Sequence, residues 1–156
     1  MNNETTPVGE TLPTNPAVTR ERVVATLEAA GWRVGQDDDG DVYGVWDGHL
    51  FYFFLTGDKR SVLQVRGRYA GSVPLEEQAA VLPFLDTFNR DHVWPKVYSR
   101  TDTRATGIYT EVSTDLTHGV ADDQLAQLLT GGLATGIQFF AMLAEAFPAW
   151  APADAG

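Results

Sequence analysis

The chain contains no cysteine among its 156 residues. This absence excludes disulfides, thiolate zinc sites, iron–sulfur clusters and cysteine nucleophiles. Residues 1–18 also lack the basic segment and the apolar run of a secretory signal. We therefore expect a cytoplasmic protein that folds without a metal or a disulfide.

Motifs for catalytic nucleophiles and for phosphate-binding loops are missing as well. The chain has no Gly-x-Ser-x-Gly, Ser-x-x-Lys, Gly-x-x-x-x-Gly-Lys or Gly-x-Gly-x-x-Gly pattern. His49, His92 and His118 stand alone at the ends of predicted elements, without metal-ligand spacing. The run Asp37–Asp41 fails the spacing of a calcium loop, so we interpret it as a solvated turn, with a weak surface cation site as the alternative. We expect no enzyme activity, no metal and no cofactor.

Basic residues are missing from the last third of the chain. No Lys or Arg follows Arg104, and the formal net charge of the whole chain is −10. An acidic surface repels phosphate, so nucleic acid and anionic membranes are not expected partners. We interpret the uneven charge as a solubility feature. A head-to-tail contact between a basic middle and an acidic end stays open as an alternative.

Apolar periodicity predicts one domain at residues 19–147, between a disordered tail at 1–18 and a flexible tail at 148–156. The predicted elements are, in order, a helix at 19–30, strands at 41–46, 49–55 and 61–69, a helix at 74–91, strands at 96–100 and 106–116, and a helix at 122–147. Asp47-Gly48 predicts a two-residue type I′ turn, and Pro83 is expected to kink or break the second helix. The order α-β-β-β-α-β-β-α predicts a single α+β domain, in which helices cover a five-stranded antiparallel sheet.

The predicted last helix contains no charged residue between Gln124 and Ala144. We reject a membrane-spanning interpretation, because glutamines interrupt the run and no Lys or Arg flanks it. Gly132 and Gly136 lie four residues apart, and glycine weakens a helix interior. Their spacing therefore indicates a close approach to the sheet or to a second protomer.

Two groups of residues are candidates for binding. Arg66 and Arg68 share one strand face and could bind a carboxylate or a phosphate, although a solvated polar face is the simpler interpretation. The sheet is also rich in aromatic residues, which could wall a small-molecule pocket beside these arginines or only fill the core. This aromatic set comprises Tyr43, Trp46, Phe51, Tyr52, Phe53, Phe54 and Tyr69.

With these elements placed, the chain resembles the YbjN-like proteins, a family of bacterial sensory transduction regulators. The resemblance covers residues 19–147 and rests on the order of elements and on three short stretches. These stretches are Leu85-Asp86-Thr87-Phe88-Asn89-Arg90, Trp94-Pro95-Lys96-Val97 and Thr117-His118-Gly119-Val120. The family often has a second Asn before the position of Asn89, and Asp86 and Thr87 stand in that stretch here.

The resemblance implies a fold like that of type III secretion chaperones, which dimerise and bind extended segments of other proteins. It implies a homodimer with a protein-binding surface and supplies no catalytic residues. We therefore expect a non-enzymatic, chaperone-like binding or regulatory module with an unknown protein partner. Exposed aromatics at Trp94, Tyr98 and Tyr109 would dock that partner by strand addition or by helix-in-groove binding. A small-molecule-sensing regulator with an aromatic pocket is the alternative.

Overall fold

A computed structural model describes residues 14–153 of the chain. These residues form a single α+β domain with three α-helices, two 3-10 turns and a mostly antiparallel sheet. The elements are α1 (Arg20–Ala29), β1 (Gly35–Gln36), β2 (Val42–Trp46), β3 (His49–Thr56), β4 (Val62–Arg68), β5 (Val73–Pro74), a 3-10 turn (Leu75–Glu77), α2 (Gln78–Asp91), β6 (Lys96–Thr101), β7 (Ala105–Asp115), α3 (Asp122–Ala146) and a second 3-10 turn (Pro148–Trp150).

The sheet has seven strands, so the prediction of five was wrong. Its strands follow the order β1-β2-β3-β4-β7, and β6 pairs with β7 on the side opposite β4. The short strand β5 also pairs with β7, beyond the point where β4 ends. The two strands that the sequence missed, β1 and β5, have only two residues each. An apolar alternation needs more residues than that to be visible.

Local signals placed two boundaries correctly. Thr19 caps α1, since its side chain accepts a hydrogen bond from the backbone N–H of Arg22 at 3.1 Å. At the β2–β3 hairpin, Asp47 and Gly48 have φ values of 51° and 82°. This is the pair of positive φ values that a type I′ turn requires.

The second helix departs from the prediction at its start and at Pro83. Pro74 belongs to β5, and a 3-10 turn precedes α2. The helix does not break at Pro83, because α2 continues through it to Asp91. Pro83 lies in the second turn of α2, close to the N-terminal N–H groups that have no partner within the helix, so the missing N–H disturbs few helical bonds.

One face of the sheet carries the core. Alternate residues of β2, β3, β4, β6 and β7 are buried there and form one apolar cluster with residues of all three helices. Gly132 and Gly136 of α3 lie directly on this face. A Cβ at Gly132 would come within 2.8 Å of Val65, and a Cβ at Gly136 within 2.8 Å of Phe51. The two glycines therefore serve contact with the sheet of their own chain.

Helix α3 has the length and the mean hydropathy that a membrane-spanning helix would need. Eight of its residues are nevertheless buried. Leu125, Leu129, Leu133, Phe139, Phe140 and Leu143 belong to the apolar cluster shared with the sheet. Burial in the core accounts for the long uncharged run.

The described domain includes residues from both predicted tails. Residues 1–13 and 154–156 lie outside the described residues. Val18 is buried, and the carbonyl of Pro16 accepts a hydrogen bond from Val120 at 2.9 Å. At the other end, Trp150 is buried and donates from Nε1 to Glu77 at 2.9 Å. Residues 148–150, predicted to lie in the flexible tail, form the second 3-10 turn, and Trp150 packs on the domain.

Candidate functional site

Among the described residues, the face of the sheet opposite the helices has no element packed over it. We call it the outer face. Its side chains are half-buried or exposed, because they lie on the open side of a pleated sheet. They are Tyr43, Val45, Leu50, Tyr52, Phe54, Gln64, Arg66, Arg68, Lys96, Tyr98, Arg100, Tyr109, Glu111, Ser113 and Asp115.

The strand register aligns one continuous row of side chains across five strands. Tyr43 pairs with Tyr52, Tyr52 with Arg66, Arg66 with Glu111, and Glu111 with Lys96. Paired residues on the same face of a sheet lie close enough to interact. The row therefore runs from an aromatic end at β2 and β3 to a charged end at β7 and β6.

Glu111 is the centre of the charged end. Its carboxylate accepts a hydrogen bond from the hydroxyl of Tyr98 at 2.8 Å and lies 3.6 Å from both Arg66 Nε and Lys96 Nζ. The side chain of Glu111 is only 13% exposed. The pKa of Tyr98 is raised to about 12. Burial is the larger cause, and the hydrogen bond to Glu111 is the second. Tyr98 therefore keeps its proton at neutral pH and holds the carboxylate in place.

A second row carries Arg68, which has no ion-pair partner within residues 14–153. Arg68 pairs with Tyr109, and Tyr109 pairs with Tyr98. The rings of Tyr98 and Tyr109 stack at 5.4 Å, and the guanidinium of Arg68 lies 5.9 Å from the centre of the Tyr109 ring. Tyr109 also lies over Gly107, where a Cβ would approach the ring to 3.1 Å. These contacts present an exposed arginine beside a flat aromatic surface.

The part of the outer face formed by β4, β6 and β7 is basic although the chain is acidic, whereas the carboxylates of Asp37 and Asp41 lie near Tyr52 at the other end. Within the outer-face parts of β4, β6 and β7, four cations stand against two carboxylates: Arg66, Arg68, Lys96 and Arg100 against Glu111 and Asp115. Arg68 and Arg100 take part in none of the ion pairs among the described residues. This surface therefore has cationic groups available for a ligand.

Four of the five predicted binding residues lie together on the outer face: Arg66, Arg68, Tyr98 and Tyr109. The fifth, Trp94, lies in the turn before β6 at the border of the outer face. It lines a groove beside α3 and also a shallow depression that includes Lys96, Glu111 and Ser113. The sequence did not predict the groove, because the turn between α2 and β6 has no periodicity to follow.

The aromatic set considered for a small-molecule pocket is divided by the sheet. Phe51, Phe53 and Tyr69 are buried in the core, whereas Tyr52 and Phe54 stack on the outer face at 4.9 Å. Successive residues of a strand point to opposite faces, so a run of strand aromatics cannot line one cavity. Of this set, the sheet places Tyr43, Tyr52 and Phe54 on the face that carries Arg66.

Asn89 has a role that the sequence did not reveal. Its side-chain amide donates to the carbonyl of Val97 at 2.8 Å and accepts from the N–H of Val97 at 2.9 Å. Asn89 lies within α2 and does not end the helix. The amide occupies the outer edge of β6 as a neighbouring strand would, which protects that edge from other chains. Only the tertiary fold brings the two residues together.

The acidic run before β2 forms a tight cluster. One oxygen each from Asp37, Asp39 and Asp41 lies within 4.8 Å of the others. The Asp37 carboxylate accepts the N–H groups of Asp39 and Asp41 at 3.0 and 2.9 Å, and Arg20 lies 3.3 Å from Asp41. These contacts account for the cluster as a capped turn, as the sequence predicted.

Comparison with known proteins agrees with the order of elements. Residues 19–145 match the family described as YbjN, putative bacterial sensory transduction regulator. The chain belongs to the YbjN family. It is also similar to a crystal structure of YbjN from E. coli, described as a putative transcription regulator, with a TM-score of 0.69 at 14% identity. That match covers 84% of this chain and 94% of the other and shows a shared fold. No curated protein matches the chain.

Proposed function

We propose that this YbjN-family protein is a non-enzymatic, cytoplasmic regulatory protein that binds an acidic, extended segment of a partner protein on the outer face. The observation that carries the proposal is a basic, aromatic sheet surface, open among the described residues, on a chain of net charge −10. The family description as a regulator supports a role outside catalysis. Such a protein would hold its partner in a chaperone-like manner.

The charge of the outer face favours an acidic partner segment. Carboxylates would pair with Arg68 and Arg100, and aromatic or apolar side chains would stack on Tyr109, Tyr52 and Phe54. A two-fold dimer whose axis passes near Arg66 and Arg68 would bring these guanidinium groups toward their own symmetry copies. The homodimer that we propose therefore uses another surface and leaves the outer face open to the partner.

The alternative of a small-molecule sensor has less support. The aromatic residues that suggested it point to two faces of the sheet, as described above. The outer face, over which no described element packs, is also shallower than the concave sites that hold small molecules. A partner segment that spreads over several strands suits this shape better.

The proposal is tested by photo-cross-linking from the outer face. A photoreactive phenylalanine analogue placed at Tyr109 should cross-link a partner protein in cells that express the chain naturally, and mass spectrometry would identify the contact peptide. We expect an acidic peptide, and we expect Arg68→Glu to reduce its capture at least about tenfold, because a favourable ion pair becomes a repulsion. The matched control places the same analogue at Leu82 of α2, which is exposed but lies away from the outer face.

Three results would count against the proposal. These are capture of a basic or uncharged peptide, equal capture from Tyr109 and Leu82, and capture that Arg68→Glu does not change. Sedimentation of the purified protein tests the dimer separately. A monomer at micromolar concentration would remove the homodimer and leave the partner site standing.

A further inference from the structure

Strand β7 is longer than its neighbour β6, and the difference leaves an open edge. Strand β6 begins at Lys96, opposite Glu111, so no described strand lies beside residues 112–115 on that side. Hydrogen bonds alternate along an antiparallel ladder, and Thr110, Val112 and Thr114 bond toward β4. The N–H and C=O groups of Ser113 and Asp115 therefore point to the open edge.

The neighbouring edge of the sheet is closed in part. On the outer edge of β6, Asn89 occupies both backbone groups of Val97. A chain that adds to a sheet needs a run of free N–H and C=O groups. Among the described residues no backbone group bonds to the edge-facing groups of Ser113 and Asp115, so this edge offers a template for an added strand.

A groove runs between this open edge and helix α3. Its volume is about 360 Å³, and it is lined by Trp94, Val112, Thr114, Leu128 and Gly131 among others. Trp94 is 63% exposed and forms one wall. At Gly131 an added Cβ would meet nothing within 4 Å, so the glycine leaves space on the α3 side. An apolar side chain from a strand at the edge could enter this space.

The lining of the groove contains no charged residue, although 21% of the chain is charged. Its polar groups are amides and hydroxyls, including those of Gln124 and Gln127. A charged side chain here would lose water without gaining a partner, which is unfavourable. The groove is therefore complementary to an uncharged segment, in contrast to the cationic outer face.

We infer that residues 112–115 and the groove beside Trp94 bind an extended, uncharged segment of a partner protein by strand addition. The segment's backbone pairs with Ser113 and Asp115, and an apolar side chain packs against Trp94 and Leu128. This inference rests on the proposed function in that it assumes a protein partner. It adds a neighbouring binding surface, which meets the outer face at Ser113 and Asp115 and differs from it in having an uncharged groove.

The test uses a defined peptide and nitrogen-15 NMR of the full chain. The probe is a seven-residue peptide of alternating valine and threonine with blocked ends. On binding, the amide signals of Ser113 and Asp115 should shift, and their hydrogen exchange should slow. The same peptide with N-methyl groups on its edge-facing amides should bind at least about fivefold more weakly for each hydrogen bond lost. This comparison does not depend on the folding of any variant.

Variants of the protein provide the second arm. Trp94→Ala and Ser113→Pro should each weaken peptide binding about fivefold or more, since one removes a groove wall and the other an edge N–H. Ser99→Pro, which removes an equivalent N–H from the outer edge of β6, and Arg68→Glu on the outer face should leave peptide binding unchanged.

Two results would overturn the inference. One is that the N-methylated peptide binds as tightly as the unmodified peptide, and the other is that Ser113→Pro binds the peptide as tightly as the native chain does. Shifts of Tyr109 and Arg68 without shifts of Ser113 and Asp115 would overturn it too and would leave the proposed function intact. If the native chain dimerises and Ser113→Pro does not, a second copy of the chain occupies the edge. That result would also overturn the assignment to a partner protein.

Discussion

At the scale of single residues, His49 shows how burial fixes the state of a titratable group. Its Nδ1 accepts the backbone N–H of Ala70 at 2.9 Å, and its ring packs on Tyr69 and Phe140 at 5.2 and 4.6 Å. Burial lowers the pKa of His49, and the nearby carboxylate of Asp47 opposes this in part. The ring is therefore held neutral, with its proton on Nε2.

This arrangement predicts a pH dependence of stability. Because the folded pKa lies below the unfolded value, the unfolded chain binds more protons, and the contribution of His49 is lost as pH falls below about 6.5. His49→Phe, which neither titrates nor accepts the Ala70 N–H, should lose about 1 kcal/mol of unfolding free energy at pH 7.5. The gap to the native chain should shrink toward pH 5 in urea titrations.

The exposed His118 offers the matched control, and His118→Gln should be as stable as the native chain at pH 7.5. A gap between His49→Phe and the native chain that stays constant from pH 7.5 to pH 5 would show that His49 does not carry the dependence.

At the scale of elements, contact between α3 and the sheet depends on which glycine of the helix faces inward. Gly131 and Gly132 are adjacent in α3, yet a Cβ would meet nothing within 4 Å at the first and Val65 at 2.8 Å at the second. Helical propensity treats the two positions alike. Only packing separates them.

The pair makes a matched experiment. Gly131→Ala should raise the unfolding free energy by about 1 kcal/mol, because alanine is the better helix former. Gly132→Ala should lower it by about 1–3 kcal/mol, because the methyl group forces α3 away from β4. Urea denaturation at neutral pH measures both. Changes of the same sign in the two variants would contradict the packing described here.

The clamp of Asn89 on Val97 joins α2 to the edge of β6. Asn89→Ala should cost about 1–3 kcal/mol of unfolding free energy, since two backbone groups lose their partner. The freed edge should also promote self-association, visible as larger species in sedimentation. Asp86→Ala, on the exposed face of the same helix, is the control. If Asn89→Ala has the same unfolding free energy as this control and sediments as a species of the same size, the clamp does not protect the edge of β6.

At the scale of the whole molecule, the last residues close the structure. Trp150 is 5% exposed, stacks on Phe147 at 4.0 Å and donates to Glu77 at 2.9 Å. Its carbonyl packs against Gly71, where no Cβ would fit. The C-terminal turn therefore ties α3 to the loop after β4 and to the start of α2.

This tie predicts a sharp boundary for truncation. Trp150→Ala should cost about 3–5 kcal/mol of unfolding free energy, as expected for a buried tryptophan. Removing residues 152–156 should leave the thermal midpoint unchanged, because residues 152 and 153 are exposed. A small effect of Trp150→Ala would mean that the domain ends at α3, as the sequence alone predicted.

The sequence by itself determined the class of the protein and most of its long elements. Alternating or continuous apolar runs marked β2, β3, β4, β6 and β7, and helical spacing marked the three helices. The pair Asp47-Gly48 predicted its turn type correctly, because the positive φ values that a type I′ turn requires depend on the two residues themselves. The absence of nucleophile motifs and the resemblance to the YbjN family pointed to a regulator, and comparison shows that family. Local sequence carries these features because they depend on neighbours along the chain.

Only the tertiary structure decided how the surfaces are composed. It placed Arg66, Arg68, Tyr98 and Tyr109 on one open face. It also showed that Trp94 lines a groove beside the open edge of β7. The two-residue strands, the burial of Trp150 and the clamp of Asn89 on Val97 could not be predicted. Each depends on a contact between segments that are distant in the sequence. The local sequence of these segments is too short or too unspecific to predict the contact, which is determined by side-chain packing in the folded domain.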